Sequence, residues 1–246
     1  MAFKDHFSRH AESYAVARPD YPRELFEYLS GLCNSHRLAW DCATGNGQAA
    51  QALATYFDQV IATDASQAQL NQATPGKNIH YRQCSAEQAA LDSGSADIVA
   101  VAQALHWFDT ELFFHNVNRV LKSGGILAVW SYGQLAIDSV LNRAIMKLYD
   151  NVLGEYWPPE RRLVERCYAD IEFPFTRLST PNFRMSQHWS YKNLVDYLMS
   201  WSATRRYIRR NGKNPLDLVV DELAAAWGSE NRREIVWPLT VKVCRK

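Results

Sequence analysis

The run Asp41-Cys-Ala-Thr-Gly45-Asn-Gly47 lies where an apolar stretch over 38–42 meets a helical pattern that begins at Gln48. Glycines at such a junction let the backbone approach a ligand closely and turn where side chains resist. Gly45, Gly47 and Ala50 satisfy the G-x-G-x-x-[GA] spacing by which α/β proteins hold dinucleotides, with the pyrophosphate on the amides that open the helix. Alone, that spacing is weak, because a G-x-G turn can be only a turn. Asp41 separates the readings. A carboxylate at the strand tip repels a pyrophosphate and favours a cationic group such as an ammonium. Asp64 closes the next apolar run, 60–64, where an acid can accept hydrogen bonds from both hydroxyls of a ribose. Strand-end aspartates also cap helices, so the two acids count for more together than either does alone. S-adenosylmethionine, a nucleoside that carries an ammonium and no phosphate, fits both of them.

The elements that must hold these residues alternate strand and helix. Runs at 38–42, 60–64, 79–84, 97–102 and 126–130 read as strands; 48–56, 66–73 and 110–121 read as helices, the last stopped by Gly124-Gly125. Near-continuous apolar strands joined by helices mean a parallel sheet covered on both faces. From Gln134 the pattern changes to helices rich in Trp, Tyr and Arg at 136–153, 158–169, 193–207 and 215–227, with strands at 183–189 and 235–244. The expected fold is α/β, Rossmann-like and doubly wound. Its seven-stranded sheet is mostly parallel, with an antiparallel last strand and a helical insertion or lid. A single domain of 246 residues is expected, with a cofactor-binding core over 1–133, a helical substrate-side elaboration over 134–230 and the last strand over 231–246.

These motifs resemble the class I S-adenosylmethionine-dependent methyltransferases of the small-molecule type. Asp41–Gly47 looks like their first motif, with Ala43 where that family has glycine. Asp64, followed by Ala65, matches the ribose acid, and Ser85-Ala86-Glu87 the adenine-side loop, although Asp is frequent where Ser85 stands. Asp97-Ile-Val and Leu121-Lys-Ser-Gly-Gly125 match the fourth strand and the turn before the fifth. The resemblance therefore implies a cofactor site made of Tyr14, Arg18, Asp41, Ala43, Gly45, Gly47, Asp64, Ala65, Ser85, Ala86, Glu87 and Gln103. Three further stretches, Tyr14 to Pro22, Ala104 to Asp109 and Trp201-Ser-Ala203, are similar to the branch that contains the trans-aconitate methyltransferases. That likeness implies esterification of a small carboxylic acid.

Candidate acceptor residues are harder to separate from packing. A carboxylate acceptor is already ionised at neutral pH and needs no general base. His106 can serve as a base or as a hydrogen-bond donor to the acceptor, or it can shape a wall beside Trp107 and Phe108. Arg205, Arg206, Arg209 and Arg210 form two i,i+4 pairs, and Arg205 or Arg209 could grip an acid through a bidentate contact. Trp130, Tyr132, Trp157 and Trp201 can line an aromatic pocket or fill the core. Arg18 can reach a carboxylate, or Arg18-Pro19 can simply end a leading helix.

Composition excludes several other classes. The chain is 47% hydrophobic and 22% charged, and its 27 Lys and Arg balance 26 Asp and Glu. No global field attracts nucleic acid or an anionic membrane, so a small-molecule partner is expected and nucleic acid is disfavoured. The five cysteines are scattered without a C-x-x-C pair, against a zinc site or a disulfide framework, so no metal is expected. The first residues lack an apolar signal core, and no run approaches membrane-spanning length, so a soluble cytoplasmic enzyme is expected. Oligomeric state is left open. Two competing functions remain: an NAD(P)-dependent oxidoreductase, and an S-adenosylmethionine-binding or RNA-methylating protein. Asp41 and the lack of a Tyr-x-x-x-Lys pair oppose the first.

Overall fold

A computed structural model describes residues 19–246. Five parallel strands form its centre: β1 (Leu38–Cys42), β2 (Gln59–Asp64), β3 (Ile79–Gln83), β4 (Ala96–Ala102) and β5 (Leu121–Tyr132). They lie in the order β3-β2-β1-β4-β5, so the order reverses between β1 and β4. Trp40 aligns with Ile61 on one side and Val99 on the other. The last strand, β8 (Arg233–Arg245), runs antiparallel to β5, with Ile126 opposite Arg245 and Tyr132 opposite Leu239. The mostly parallel Rossmann-like sheet with an antiparallel last strand is thus as expected. An eighth strand is added: the free edge of β8 pairs with β6 (Thr176–Leu178) at one end and β7 (Phe183–Trp189) at the other.

Alternation along the buried strands sends side chains to two apolar layers. One layer joins Ala39, Ala100, Ala128 and Trp130 to Leu25, Phe26 and Leu29 of helix α1 (Arg23–Gly31) and to Ala49, Ala50 and Leu53 of α2 (Gln48–Leu53). The other joins Trp40, Val99, Val101 and Val129 to Phe113, Val117 and Val120 of α4 (Thr110–Val120). Burying a side chain of this size stabilises by about 1.5–3 kcal/mol. Helix α3 (Gln67–Leu70) is one turn long, and its Ser66 cap accepts from the Gln69 amide as expected of a Ser N-cap. At the far end of the strands, Asp97 accepts from the Arg37 and Leu38 amides at 2.8 and 2.9 Å and from Lys122 Nζ at 2.5 Å, tying β4 to the start of β1.

Helix boundaries depart from the sequence expectation in several places. Helix α1 was not anticipated; it begins directly after Pro22, which is its N-cap. Helix α4 ends at Val120, one residue before the expected Leu121, which is already extended. The 136–153 helix is α5 (Ser139–Met146) followed by a π-helical turn, Lys147–Val152; 158–169 is only α6 (Arg161–Glu165) with irregular chain after it. The 193–207 helix is two helices, α7 (Tyr191–Ser200) and α8 (Ser202–Asn211), separated at Trp201, whose φ of −63° and ψ of 138° are extended. Residues 215–227 divide into a 3-10 turn, Pro215–Leu218, and α9 (Val220–Trp227).

Candidate functional site

The switch in strand order between β1 and β4 opens a crevice at the carboxyl ends of the strands, where open α/β sheets bind ligands. The glycine loop leaves β1 into that crevice. Ala43, Gly45 and Gly47 have φ of 57°, 57° and 88°, so three of its residues occupy the left-handed region. Glycine is free of strain there, whereas Ala43 costs about 1–2 kcal/mol. Gly47 has a second reason to be glycine: an added Cβ would overlap the Tyr81 hydroxyl and come within 3.2 Å of its Cζ.

Asp41 is fully buried at the foot of this loop. One carboxyl oxygen accepts from Thr44 Oγ1 at 2.5 Å; the other, Oδ1, has no hydrogen-bond partner among the described residues. Burial pushes the carboxyl up to about 7, a rise that the Thr44 hydroxyl and the Ala50 amide oppose and the nearby Asp64 charge reinforces. A buried carboxylate with an unmet acceptor is costly unless a donor arrives. An ammonium meets that demand and a pyrophosphate worsens it, so the residues present fit S-adenosylmethionine.

Asp64 stands half-buried at the tip of β2. Its two oxygens accept from the Gly45 amide at 2.9 Å and the Ser66 amide at 2.8 Å, so the acid also clasps the glycine loop. A carboxylate oxygen carries more than one lone pair, so an acid here can accept from several donors at once. The Ala65 carbonyl accepts from Gln83 Nε2 at 3.1 Å. Ser85 precedes a 3-10 turn, Ala86–Gln88, that is anchored by Asn116 Nδ2 on the Ala86 carbonyl, while Glu87 accepts the Asp109 amide at 3.1 Å. Gln103 follows β4 with φ of 57°, and its side-chain amide exchanges two hydrogen bonds with the Tyr132 backbone at 2.9 and 2.8 Å. That exchange works as one more rung of the sheet, and it pins the ends of β4 and β5 together. Tyr14 and Arg18 lie outside the described residues.

Past Gln103 the chain enters a 3-10 turn, Leu105–Trp107. His106 Nδ1 lies 2.9 Å from the hydroxyl of the fully buried Tyr168. Burial, with a smaller contribution from the Arg161 charge, pulls the imidazole down to about 3, so it is neutral at physiological pH. Helix α6 packs on the same turn. Its Arg161 places Nε 3.1 Å from the Tyr149 hydroxyl and lies over the rings of Trp157 and Tyr149, 5.2 and 5.8 Å from their centroids. Trp201, at the α7–α8 break, packs on Trp157 and Tyr149 with centroids 5.4 and 5.6 Å away.

The other acceptor candidates are placed differently. Trp130 has no exposed surface and is wedged edge-on against Tyr21 and Phe26, so it is a core residue rather than a pocket wall. Arg206 and Arg210 turn to the 154–156 turn, where Arg210 pairs with Glu155 at 3.2 Å and covers the Tyr156 ring. Arg205 is half-buried, with its amide on the Trp201 carbonyl at 3.2 Å, and Arg209 is exposed. Sequence reasoning missed Arg161, Tyr149 and Tyr168. The signals present were the Arg161–Glu165 i,i+4 spacing and the aromatic density after Gln134.

The fold and the ammonium-seeking carboxyl at its switch point define a Rossmann-like transferase that takes a cationic nucleoside. Comparison with known proteins agrees. Residues 40–129 match the family model of the methyltransferase domain. A methyltransferase of Dictyostelium discoideum is 33% identical over 229 residues, 92% of this chain and 87% of that one. The S-adenosylmethionine-dependent methyltransferase CRG1 of Saccharomyces cerevisiae is 26% identical, covering 95% and 94%. The solved structure of a type II methyltransferase from Anaeromyxobacter dehalogenans superposes with a TM-score of 0.87 at 36% identity, covering 93% of this chain and 97% of that one. The chain belongs to the class I S-adenosylmethionine-dependent methyltransferases. It is an enzyme, and S-adenosylmethionine is its cofactor.

Proposed function

We propose that this methyltransferase acts on a small organic acid and methylates a carboxylate oxygen. One observation carries the reading. The turn beyond β4, beside the cofactor crevice, offers no effective base at neutral pH: its His106 is buried, neutral and far below the range in which imidazole accepts protons well. A carboxylate needs no proton removed; a phenol, alcohol or ammonium does. S-adenosylmethionine supplies an electrophilic methyl group when bound. The protein's task is then alignment and exclusion of water, and both can account for much of the rate.

In this reading Asp41 receives the ammonium, Asp64 and the Gly45–Gly47 loop hold the ribose, and Ala65 with Ser85-Ala86-Glu87 frames the adenine. Gln103 positions the β4 end against β5, and Arg18 and Tyr14 are assigned to the cofactor by the family resemblance alone. The organisation is a single domain in which 134–230 builds the acceptor side on a core of 1–133, completed by 231–246. No helix among the described residues is long and apolar enough to cross a membrane, in keeping with a cytoplasmic enzyme acting on dissolved substrates. The test is methyl transfer from labelled S-adenosylmethionine to mono-, di- and tricarboxylates beside phenols and amines. The product expected is an ester that mild base cleaves. Base-stable ethers or methylamines as the main products would overturn the reading.

A further inference from the structure

The acceptor side contains a cation that neither the family motifs nor the sequence expectation assigned. Arg161 has about a fifth of its side chain exposed. Its Nε faces the Tyr149 hydroxyl at 3.1 Å, and the Glu165 carboxylate lies 4.0 Å away on the same side. Tyr149 donates its own hydroxyl to Glu165, so the acid is already engaged there. Neither terminal nitrogen of the guanidinium has a hydrogen-bond partner among the described residues. The planar fork is stacked against Trp157 and Tyr149, which fixes its orientation and leaves its outer edge as the unmet donor pair. The helix that carries it packs on the His106 turn, and the next residues supply the Tyr168 hydroxyl to His106. Among the described residues the Nε side of this guanidinium is met by Tyr149 and Glu165 and its two terminal nitrogens by no acceptor, and the group is fixed beside the turn that follows β4.

The same arrangement excludes one class of acceptor. Aromatic rings grouped like Tyr149, Trp157 and Trp201 can attract a cationic substrate through their faces. Here the faces of two of them already carry the chain's own cation, so an ammonium would meet repulsion instead. The complement of the site is anionic.

We propose that Arg161 is the residue that recognises the acceptor, by a bidentate pair with an anionic group remote from the oxygen that is methylated. The remoteness follows from chemistry. A carboxylate whose two oxygens both accept from a guanidinium has its charge offset and its nucleophilicity lowered, so the group on Arg161 is a handle. Trp201 and Trp157 then flank the acceptor's carbon skeleton. This inference rests on the acceptor being a small organic acid, but its test does not require turnover.

The experiment titrates wild type, Arg161→Gln and Arg161→Lys with a panel of aliphatic and aromatic dicarboxylates from four to ten carbons, each beside its neutral diamide. S-adenosylhomocysteine is present, and tryptophan fluorescence reports binding. The expected result is that the best-binding diacid loses roughly ten- to hundredfold affinity in Arg161→Gln, the range of a charge-assisted pair. Arg161→Lys should recover part of that loss, and the diamide should bind all three proteins equally weakly. S-adenosylhomocysteine affinity should be the same in all three, which a merely structural arginine would not ensure. The inference is overturned if no diacid distinguishes wild type from Arg161→Gln, or if the diamide loses as much as the diacid. Ether or amine products in the transfer assay with diacid selectivity intact would sink the carboxylate chemistry while leaving Arg161 as the anchor.

Discussion

Gly45 donates its amide to the Asp64 carboxylate at 2.9 Å, a bond between residues 19 apart that joins the glycine loop of β1 to the tip of β2. The acid read as a ribose ligand is thus also a clasp on the loop it works beside. Asp64→Ala should weaken S-adenosylmethionine binding by about 1.5–3 kcal/mol, and it should also lower the unfolding midpoint of the free protein because two amides lose an acceptor. Calorimetry and thermal unfolding read the two effects separately. Unchanged affinity in a folded Asp64→Ala variant removes the acid from the site, and an unchanged midpoint removes the clasp.

Asp41 predicts a pH dependence of cofactor binding. With its carboxyl raised to about 7, roughly a tenth is ionised at pH 6 and most of it at pH 8. Affinity should rise about fivefold between pH 6 and 7.5, then level off and fall as the cofactor's α-amino group deprotonates near pH 8. Binding at pH 6 should release a proton, visible as a dependence of calorimetric heat on buffer ionisation enthalpy. Asp41→Asn should bind weakly with no rise between pH 6 and 7.5; a variant that keeps the rise means another group titrates.

Gly47→Ala sets two costs against one methyl group. The backbone at φ of 88° resists a side chain by about 1–2 kcal/mol, and the added carbon overlaps the Tyr81 hydroxyl. Unfolding should be destabilised by more than about 2 kcal/mol, with cofactor affinity lost as well. Adding Tyr81→Phe relieves the overlap and leaves the backbone cost, so the double variant should recover only in part. Full recovery would mean that the left-handed conformation matters little.

Two buried groups pull stability in opposite directions with pH. Asp41 titrates higher folded than unfolded, so its contribution is complete below about pH 4 and is lost as pH rises through about 7. His106 titrates lower when folded, so its contribution is complete above about 6.5 and is lost as pH falls towards 3. Between about pH 4 and 6.5 the two slopes offset each other. Asp41→Asn should uncover stability that rises with pH in this window, and His106→Asn stability that falls. Urea unfolding of both variants at half-unit steps checks the signs; parallel slopes in the two variants would refute the assignment.

The parallel half of the molecule was legible because burial on both faces leaves a plain mark, a short apolar run ending in a polar tip. Asp41 and Asp64 were found at those tips, and Ala43 was flagged at the position where φ is 57°. Asp64 as a clasp was not, since a carboxylate's preference for a backbone amide over open solvent is decided by the loop's path. The α7–α8 break left no trace because Leu198 and Trp201 continue the apolar spacing of a helix through a residue that is extended. The Arg161 cluster was invisible for a different reason: its members come from a π-helical turn, a short helix and an extended residue, and only tertiary packing brings those three together.

Strand β8 has a consequence for how the chain is made. Arg245 donates to the Gly124 carbonyl across 121 residues, and the outer edge of β5 from Ile126 to Tyr132 is filled by β8. Ribosomal synthesis at about 5–20 residues per second puts roughly 6–24 s between the two partners. During that interval the nascent polypeptide exposes an unpaired edge running from Ile126 to Tyr132, all of it buried in the finished enzyme. The yield of active protein in a cell should therefore depend on what shields that edge, so chaperone supply and translation speed through 133–232 set its abundance.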